Sequence, residues 1–231
     1  MKLRGVLLDL DGTLLDHEAA VTTALRRWLP SIGVAPSPKL RALWSAVQER
    51  HLTDWRAGRI TFQQQRRHRV RDFLAAIDRP CDGPDEELDT IFSGFLRLYE
   101  LSWAPYDDAR PALRALRRAG LRTAVLTNGI EEQQTAKLAT IGLRDLAGPV
   151  YTAETLGLFK PDPAVFAEAC RRWGLPPASV VSVGDRHDLD VLPARSAGLH
   201  AVHLDRDGTG PSGEPHRVMS LAGLPAALLA H

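Results

Sequence analysis

The sequence predicts an α/β protein with a parallel sheet as its core and a helical domain inserted after the first strand. Three features predict it. A short apolar run near the amino terminus ends in two aspartates, the next stretch of about 85 residues has helical periodicity only, and the remainder alternates helices with apolar strands. We therefore expect two domains, a core of residues 1–15 and 104–231 and an inserted helical cap of residues 16–103.

The first strand ends in the sequence Asp-Leu-Asp-Gly-Thr at positions 9–13. The apolar run before it is typical of a strand buried on both faces, whose end lies at the edge where open α/β folds bind ligands. Asp9 and Asp11 would point to the same face of this strand. Two like charges this close need a cation or a proton to coexist, so the motif predicts a chemical site rather than a simple Asp-Gly turn.

The inserted segment shows no strand signal. Its apolar residues recur at helical spacing, and proline or glycine separates the runs, so four helices with short connections are expected to form a bundle. The predicted helices cover about 20–29, 40–52, 61–77 and 84–101, with Thr61 capping the third. The basic run of residues 66–71 in that third helix is typical of a solvated helix face.

After residue 106 the chain alternates helix and strand, and glycine ends each of four helices. This repeat is typical of a parallel sheet. The expected strands are 122–127, 149–152, 180–183 and 200–204, and the expected helices are 109–119, 131–141, 163–173 and 190–197. Residues 205–215 are predicted to form a surface loop, and residues from about 220 to 229 a last helix. The strand 200–204, which carries His200 and His203, is predicted to lie at the edge of the sheet.

Composition argues against several classes of function. Hydrophobic residues make up 44% and charged residues 25% of the chain, and the net charge is +1. These values are typical of a soluble globular protein and give no electrostatic case for binding nucleic acid or a membrane surface. No targeting or membrane-spanning segment is evident, and the two cysteines match no metal or redox spacing. We expect a cytoplasmic protein that is a monomer or a homodimer.

Polar residues also follow the later strands. Thr127 and Asn128 end the second strand, where a hydroxyl and an amide in front of a helix suit a cluster of anionic oxygens. Lys160, one of only four lysines, favours a point charge for phosphate or carboxylate. Three aspartates follow the fourth strand and offer the hard oxygen ligands that suit Mg²⁺: Asp185, Asp188 and Asp190. The plainer alternatives are turn hydrogen bonds, a surface lysine, and a solvated loop in which Asp190 caps a helix.

Taken together and in order, these strand-end motifs resemble the haloacid dehalogenase superfamily, in the branch that carries a small helical cap after the first strand. The resemblance spans almost the whole chain. It implies a Rossmann-like, three-layer α/β/α core and Mg²⁺-dependent phosphoryl transfer. The matching motifs are Asp9–Thr13, Thr127-Asn128-Gly129, Gln133 with Lys137-Leu138, Gly142-Leu143, Lys160 to Pro163, Gly184-Asp185 with Asp190, and Ala194 with Ala197-Gly198.

The resemblance assigns the chemistry to the first motif. Asp9 would attack phosphorus and form an aspartyl-phosphate, and Asp11 would protonate the leaving group and then activate water. Mg²⁺ would be held by the carboxylates of Asp9 and Asp185 and by the backbone carbonyl of Asp11.

The later motifs would bind the transferring phosphoryl group. The resemblance implies that Thr127 and Lys160 hold its oxygens and that Asn128 contributes. Asp190 would orient Lys160 or a metal-bound water. The sequence departs from a common pattern of the superfamily at Arg186-His187, where a small hydroxyl residue often follows the aspartate.

The expected function is therefore hydrolysis of a small phosphomonoester. One alternative is a phosphomutase of the β-phosphoglucomutase type, which returns the phosphate to a sugar. A second is a 2-haloacid dehalogenase, although members that displace halide lack a carboxylate at the position of Asp11. Selectivity is expected to reside in the cap, with the turn that carries Trp55 and Arg56 facing the substrate.

Overall fold

The computed structural model describes residues 2–229. The chain separates into two compact units, a core that runs up to His17 and resumes at Trp103, and a cap of Glu18–Ser102. These boundaries lie within two residues of those expected from the sequence. Within residues 2–229, no helix combines the length and the apolar character that crossing a membrane requires.

The core is built on one sheet of six parallel strands in the order β3-β2-β1-β4-β5-β6. Leu8 in β1 pairs with Val125 in β2 and with Val183 in β4, so the carboxyl ends of these three strands meet at one edge. The strands are β1 (Gly5–Leu8), β2 (Arg122–Thr127), β3 (Val150–Thr152), β4 (Val180–Gly184), β5 (His200–Leu204) and β6 (Arg217–Val218).

The cap is a bundle of four helices: α1 (His17–Trp28), α2 (Pro38–Arg56), α3 (Phe62–Ala75) and α4 (Asp85–Glu100). Thr61 caps α3 as predicted, in a reciprocal capping box with Gln64. Aromatic side chains fill the centre, where Trp44 packs against both Trp28 and Phe95. The prediction that the basic residues of α3 face solvent is wrong for Arg69, which is 7% exposed.

Helices cover both faces of the sheet. They are α5 (Ala109–Arg118), α6 (Glu131–Thr140), α7 (Arg144–Ala147), α8 (Ala153–Leu156), α9 (Pro163–Trp173), α10 (Leu192–Ser196) and α11 (Leu224–Leu229). Because side chains alternate along a strand, Leu8 of β1 packs with α5, α6 and α11, whereas Leu7 packs with α9 and α10. This is the Rossmann-like, three-layer α/β/α arrangement that the sequence predicted.

Two local predictions were wrong. β5 is not an edge strand, because the two-residue strand β6 pairs with His203 and Leu204 after the long loop. The helix expected from residue 190 begins earlier, as a π-helical turn over His187–Val191, and α10 follows it. Strand β6 is too short for a hydrophobic alternation, and a π turn has no distinct residue pattern, so neither leaves a clear sequence signal.

Candidate active site

Lys160 lies between two carboxylates at the carboxyl edge of the sheet. Its Nζ is 2.6 Å from Asp9 Oδ1 and 2.6 Å from Asp190 Oδ1, and it also donates to the backbone carbonyl of Leu126. Burial alone would lower the pKa of Lys160, but the two carboxylates raise it above its ordinary value. The ammonium therefore keeps its charge in a buried position, in contact with the carboxylate of Asp9, the predicted nucleophile.

The backbone of Lys160 is fixed by Asn128. The Asn128 side chain donates to the Lys160 carbonyl at 2.7 Å and accepts from the Lys160 amide at 2.8 Å. Thr127, immediately before it, is buried at the end of β2, next to β1. The side-chain amide of Asn128 thus positions Lys160, and its contribution to phosphate binding stays a prediction, as does that of Thr127.

Three carboxylates form a group that could hold a metal ion. Oxygen atoms of Asp9, Asp185 and Asp190 all lie within 4.8 Å of one another. Burial, together with the neighbouring carboxylates, raises the pKa of Asp9 to about 7 and that of Asp185 to about 8. One ammonium offsets only part of this negative charge, so a divalent cation with oxygen ligands fits the donor set.

Two glycines make room for these carboxylates. Gly12 has φ +92°, and a Cβ there would overlap the Asp185 carboxylate. A Cβ at Gly184 would overlap the carboxylate of Asp190 in the same way. The position of Asp185 is further held by a hydrogen bond between its backbone carbonyl and His203 Nε2, at 3.0 Å. The glycines that follow β1 and end β4 are therefore required by close approach.

Asp11 is paired with a lysine that the sequence analysis did not single out as a site residue. Lys137 Nζ lies 2.8 Å from Asp11 Oδ1 and 2.6 Å from Oδ2. Burial alone would raise the pKa of Asp11, but Lys137 and His17 lower it below its ordinary value. The available signal was the scarcity of lysine, since Lys137 is one of four and lies within a matching motif.

The other acidic-loop residues have separate partners. Asp188 pairs with Arg186 at the surface, with the closest atoms 2.9 Å apart. His187 Nε2 lies 3.0 Å from the carboxylate of Glu214. The loop aspartates are thus divided, because Asp185 and Asp190 turn toward Asp9 and Asp188 does not belong to that group.

The two predicted cap residues have contacts inside the cap. The ring of Trp55 packs on Phe62, with centroids 4.9 Å apart. Arg56 Nη2 lies 2.7 Å from Glu49 Oε1, and its Nε donates to the Leu52 carbonyl. Their predicted role in substrate selection stays a prediction.

The fold is Rossmann-like, and the site at its strand ends brings a buried lysine together with three carboxylates. The family model described as haloacid dehalogenase-like hydrolase matches residues 3–198 of the chain. The chain belongs to the haloacid dehalogenase-like hydrolases.

Relatives in this family carry more than one activity. The glyceraldehyde 3-phosphate phosphatase of Methanopyrus kandleri is 29% identical over 88% of this chain and 84% of its own length. The phosphoserine phosphatase of Thermus thermophilus is 34% identical over 78% of this chain and 68% of its own. The (S)-2-haloacid dehalogenase 4A of Burkholderia cepacia is 29% identical over 96% and 93%.

A solved structure supports the fold over the full length. The magnesium-bound HAD-hydrolase YfnB of Bacillus subtilis superposes with a TM-score of 0.87, covering 99% of this chain and 100% of that one at 20% identity. At this identity the likeness concerns the fold.

Proposed function

We propose that the protein is a Mg²⁺-dependent phosphatase that hydrolyses a small phosphomonoester through an aspartyl-phosphate on Asp9. The observation that carries the proposal is the second carboxylate. Asp11 stands two residues after Asp9, and Lys137 holds both of its oxygens. A phosphatase needs such a group for proton transfer, and relatives with phosphatase names cover most of the chain.

The reaction has two steps in this proposal. Asp11 takes up a proton when a phosphate dianion binds beside it, because that negative charge opposes the effect of Lys137 and His17 on its pKa. A carboxylate oxygen of Asp9 then attacks phosphorus, the bond from phosphorus to the leaving oxygen breaks, and Asp11 gives its proton to that oxygen. A water then attacks phosphorus, Asp11 takes the proton of the water, and the bond from phosphorus to Asp9 breaks. The products are an alcohol and inorganic phosphate, and Asp9 returns to its starting state.

Charge neutralisation is the remaining requirement, because a phosphate dianion approaches a carboxylate. Lys160 supplies one positive charge beside Asp9, and we propose that it contacts the transferring phosphoryl group together with Thr127 and Asn128. The carboxylates of Asp9 and Asp185, with the backbone carbonyl of Asp11, would hold Mg²⁺. When bound, the ion supplies further positive charge at the phosphoryl oxygens.

The test is phosphate release from a panel of phosphomonoesters by the parent protein and by Asp9→Asn, with Mg²⁺ and with a chelator. The parent should release phosphate only with the metal, and Asp9→Asn should lose at least about a thousandfold, since the nucleophile is removed. The matched control is Asp207→Asn, which alters an exposed aspartate of the core. Release by Asp9→Asn at the parent rate would refute the proposal.

A 2-haloacid dehalogenase is the second candidate, because a relative with that name aligns over nearly the whole chain. Single-turnover reaction in ¹⁸O-water separates the two. Water that attacks phosphorus places the label in inorganic phosphate. A dehalogenase would form an ester on Asp9, and water that attacks the acyl carbon of this ester would place the label in the Asp9 carboxylate. Label in Asp9, with halide release from a 2-haloacid, would replace the phosphatase proposal.

We further propose that the cap selects the substrate, with Trp55 and Arg56 as the predicted contacts. A small-molecule phosphomonoester fits the two phosphatase relatives, which are named for small phosphorylated compounds. The expected location in the cytoplasm and the expected monomer or homodimer belong to the same proposal.

A further inference from the structure

Lys137 is buried in the core unit, and its ammonium contacts both carboxylate oxygens of Asp11. It lies on α6, the helix that follows β2, 126 positions along the chain from its partner. The side chain of Lys137 is 3% exposed, whereas that of Asp11 is 28% exposed. The flexible lysine side chain is therefore buried, whereas the carboxylate that it contacts is partly exposed to solvent.

A second residue of α6 supports the same carboxylate. Gln134, one turn before Lys137, is buried on the same helix, and its side chain adds to the lowering of the Asp11 pKa by Lys137. A Cβ at Gly129 would overlap the Gln134 amide, so the glycine after Thr127-Asn128 leaves the space in which Gln134 fits. The motif that ends β2 therefore also shapes the surroundings of Asp11.

The placement of Lys137 separates it from the other ammonium. Lys160 contacts Asp9 and Asp190, whereas Lys137 contacts both oxygens of Asp11. Each carboxylate of the first motif thus has its own lysine, reached from a different segment of the core. An ammonium that contacts both oxygens of a carboxylate fixes the direction in which that carboxylate faces, which a proton-transfer group requires.

We propose that Lys137 is a positioning residue for proton transfer by Asp11, acting on the leaving-group side of the reaction. The inference rests on the proposed phosphatase function. Asp11 gives a proton to the leaving oxygen and regains one from water, in an orientation that Lys137 holds by contacting both of its oxygens.

The test compares two leaving groups in the parent, Lys137→Met, Lys137→Arg, Asp11→Asn and the Asp11→Asn, Lys137→Met double variant. An alkyl phosphate needs a proton on its leaving oxygen, and p-nitrophenyl phosphate hardly does. Lys137→Met should lower kcat/KM about a hundredfold for the alkyl ester and less than about tenfold for the nitrophenyl ester. Lys137→Arg should restore most of the loss, and the double variant should resemble Asp11→Asn alone.

Controls separate positioning from folding. Lys39→Met alters an exposed lysine of the cap and should match the parent with both esters. Thermal unfolding reports whether each variant folds, and Lys137→Gln replaces Lys137→Met if the latter does not. Equal losses for both esters, or a double variant clearly worse than Asp11→Asn, would overturn the positioning role while leaving the phosphatase proposal intact. Failure of the parent to release phosphate from any ester would overturn both.

Discussion

The strand-end site and the interior of the cap both bury charge, but they stabilise it differently. In the core, the Lys160 ammonium forms ion pairs with the carboxylates of Asp9 and Asp190. In the cap, the guanidinium of Arg69 donates to the neutral oxygens of Gln48 and Gln65 and lies over the rings of Trp44 and Phe92. Burial and the nearby Arg66 lower the pKa of Arg69 to about 9, whereas the carboxylates raise that of Lys160.

The difference shows which buried charges depend on one another. Removing Lys160 leaves the carboxylates around it uncompensated, whereas removing Arg69 leaves neutral hydrogen-bond partners behind. Three carboxylates around one ammonium also leave the core short of positive charge, so the core should respond to pH and to a divalent cation. Arg69 and its neutral partners should respond to neither.

The largest effect is expected for Lys160→Met, which would break the core arrangement. Activity should fall by about a thousandfold or more because the charge beside Asp9 is lost. At pH 8 the free energy of unfolding should fall by about 3–5 kcal/mol, the range for breaking a buried ion pair. At pH 5 the loss should be smaller, because Asp9 can take up a proton. Urea unfolding at both pH values measures this, and a loss that is equal at the two would contradict it.

An intermediate effect is expected from pH and metal in the unmodified protein. The raised pKa values of Asp9 and Asp185 mean that the folded, metal-free protein binds more protons than the unfolded chain between about pH 4 and pH 8. Stability from these groups is therefore lost as pH rises through about 7 to 8. Without metal, Tm should fall by roughly 5 °C between pH 5 and pH 8.

Magnesium should reverse that fall, because it binds the ionised carboxylates. The increase in Tm on adding millimolar Mg²⁺ should therefore be larger at pH 8 than at pH 5. Calorimetric scans with Mg²⁺ and with a chelator measure it. An increase of the same size at both pH values would count against Asp9 and Asp185 as the responding groups.

The smallest effect is expected for Arg69→Met in the cap. The apolar side chain removes a desolvated charge, and half-buried Gln48 can turn to water, which leaves mainly Gln65 without a partner. The free energy of unfolding should change by no more than about 1–2 kcal/mol, with little dependence on pH. Urea unfolding followed by tryptophan fluorescence tests this. A loss as large as that of Lys160→Met would show that Arg69 stabilises the cap as a charge.

Local sequence signals were sufficient for most of the architecture. The bounds of β2, α9 and β5 agree with the predictions to the residue, because each is delimited by polar residues, glycine or proline. Thr61 caps α3 as predicted, and Asp162 caps α9. The strand ends also brought Asp9 and Asp185 to one edge, since parallel strands end together, whereas Lys160 reaches that edge from the loop after α8.

What the sequence by itself determined is the order of strands and helices and the residue types at the strand ends, because hydrophobic period and turn residues act over a few positions. Only the tertiary structure decided that Lys137 meets Asp11, that Arg69 is buried, and that β6 covers the edge of β5. Each of these depends on partners far away along the chain, and a local pattern carries no information about which distant side chain fills the space beside it.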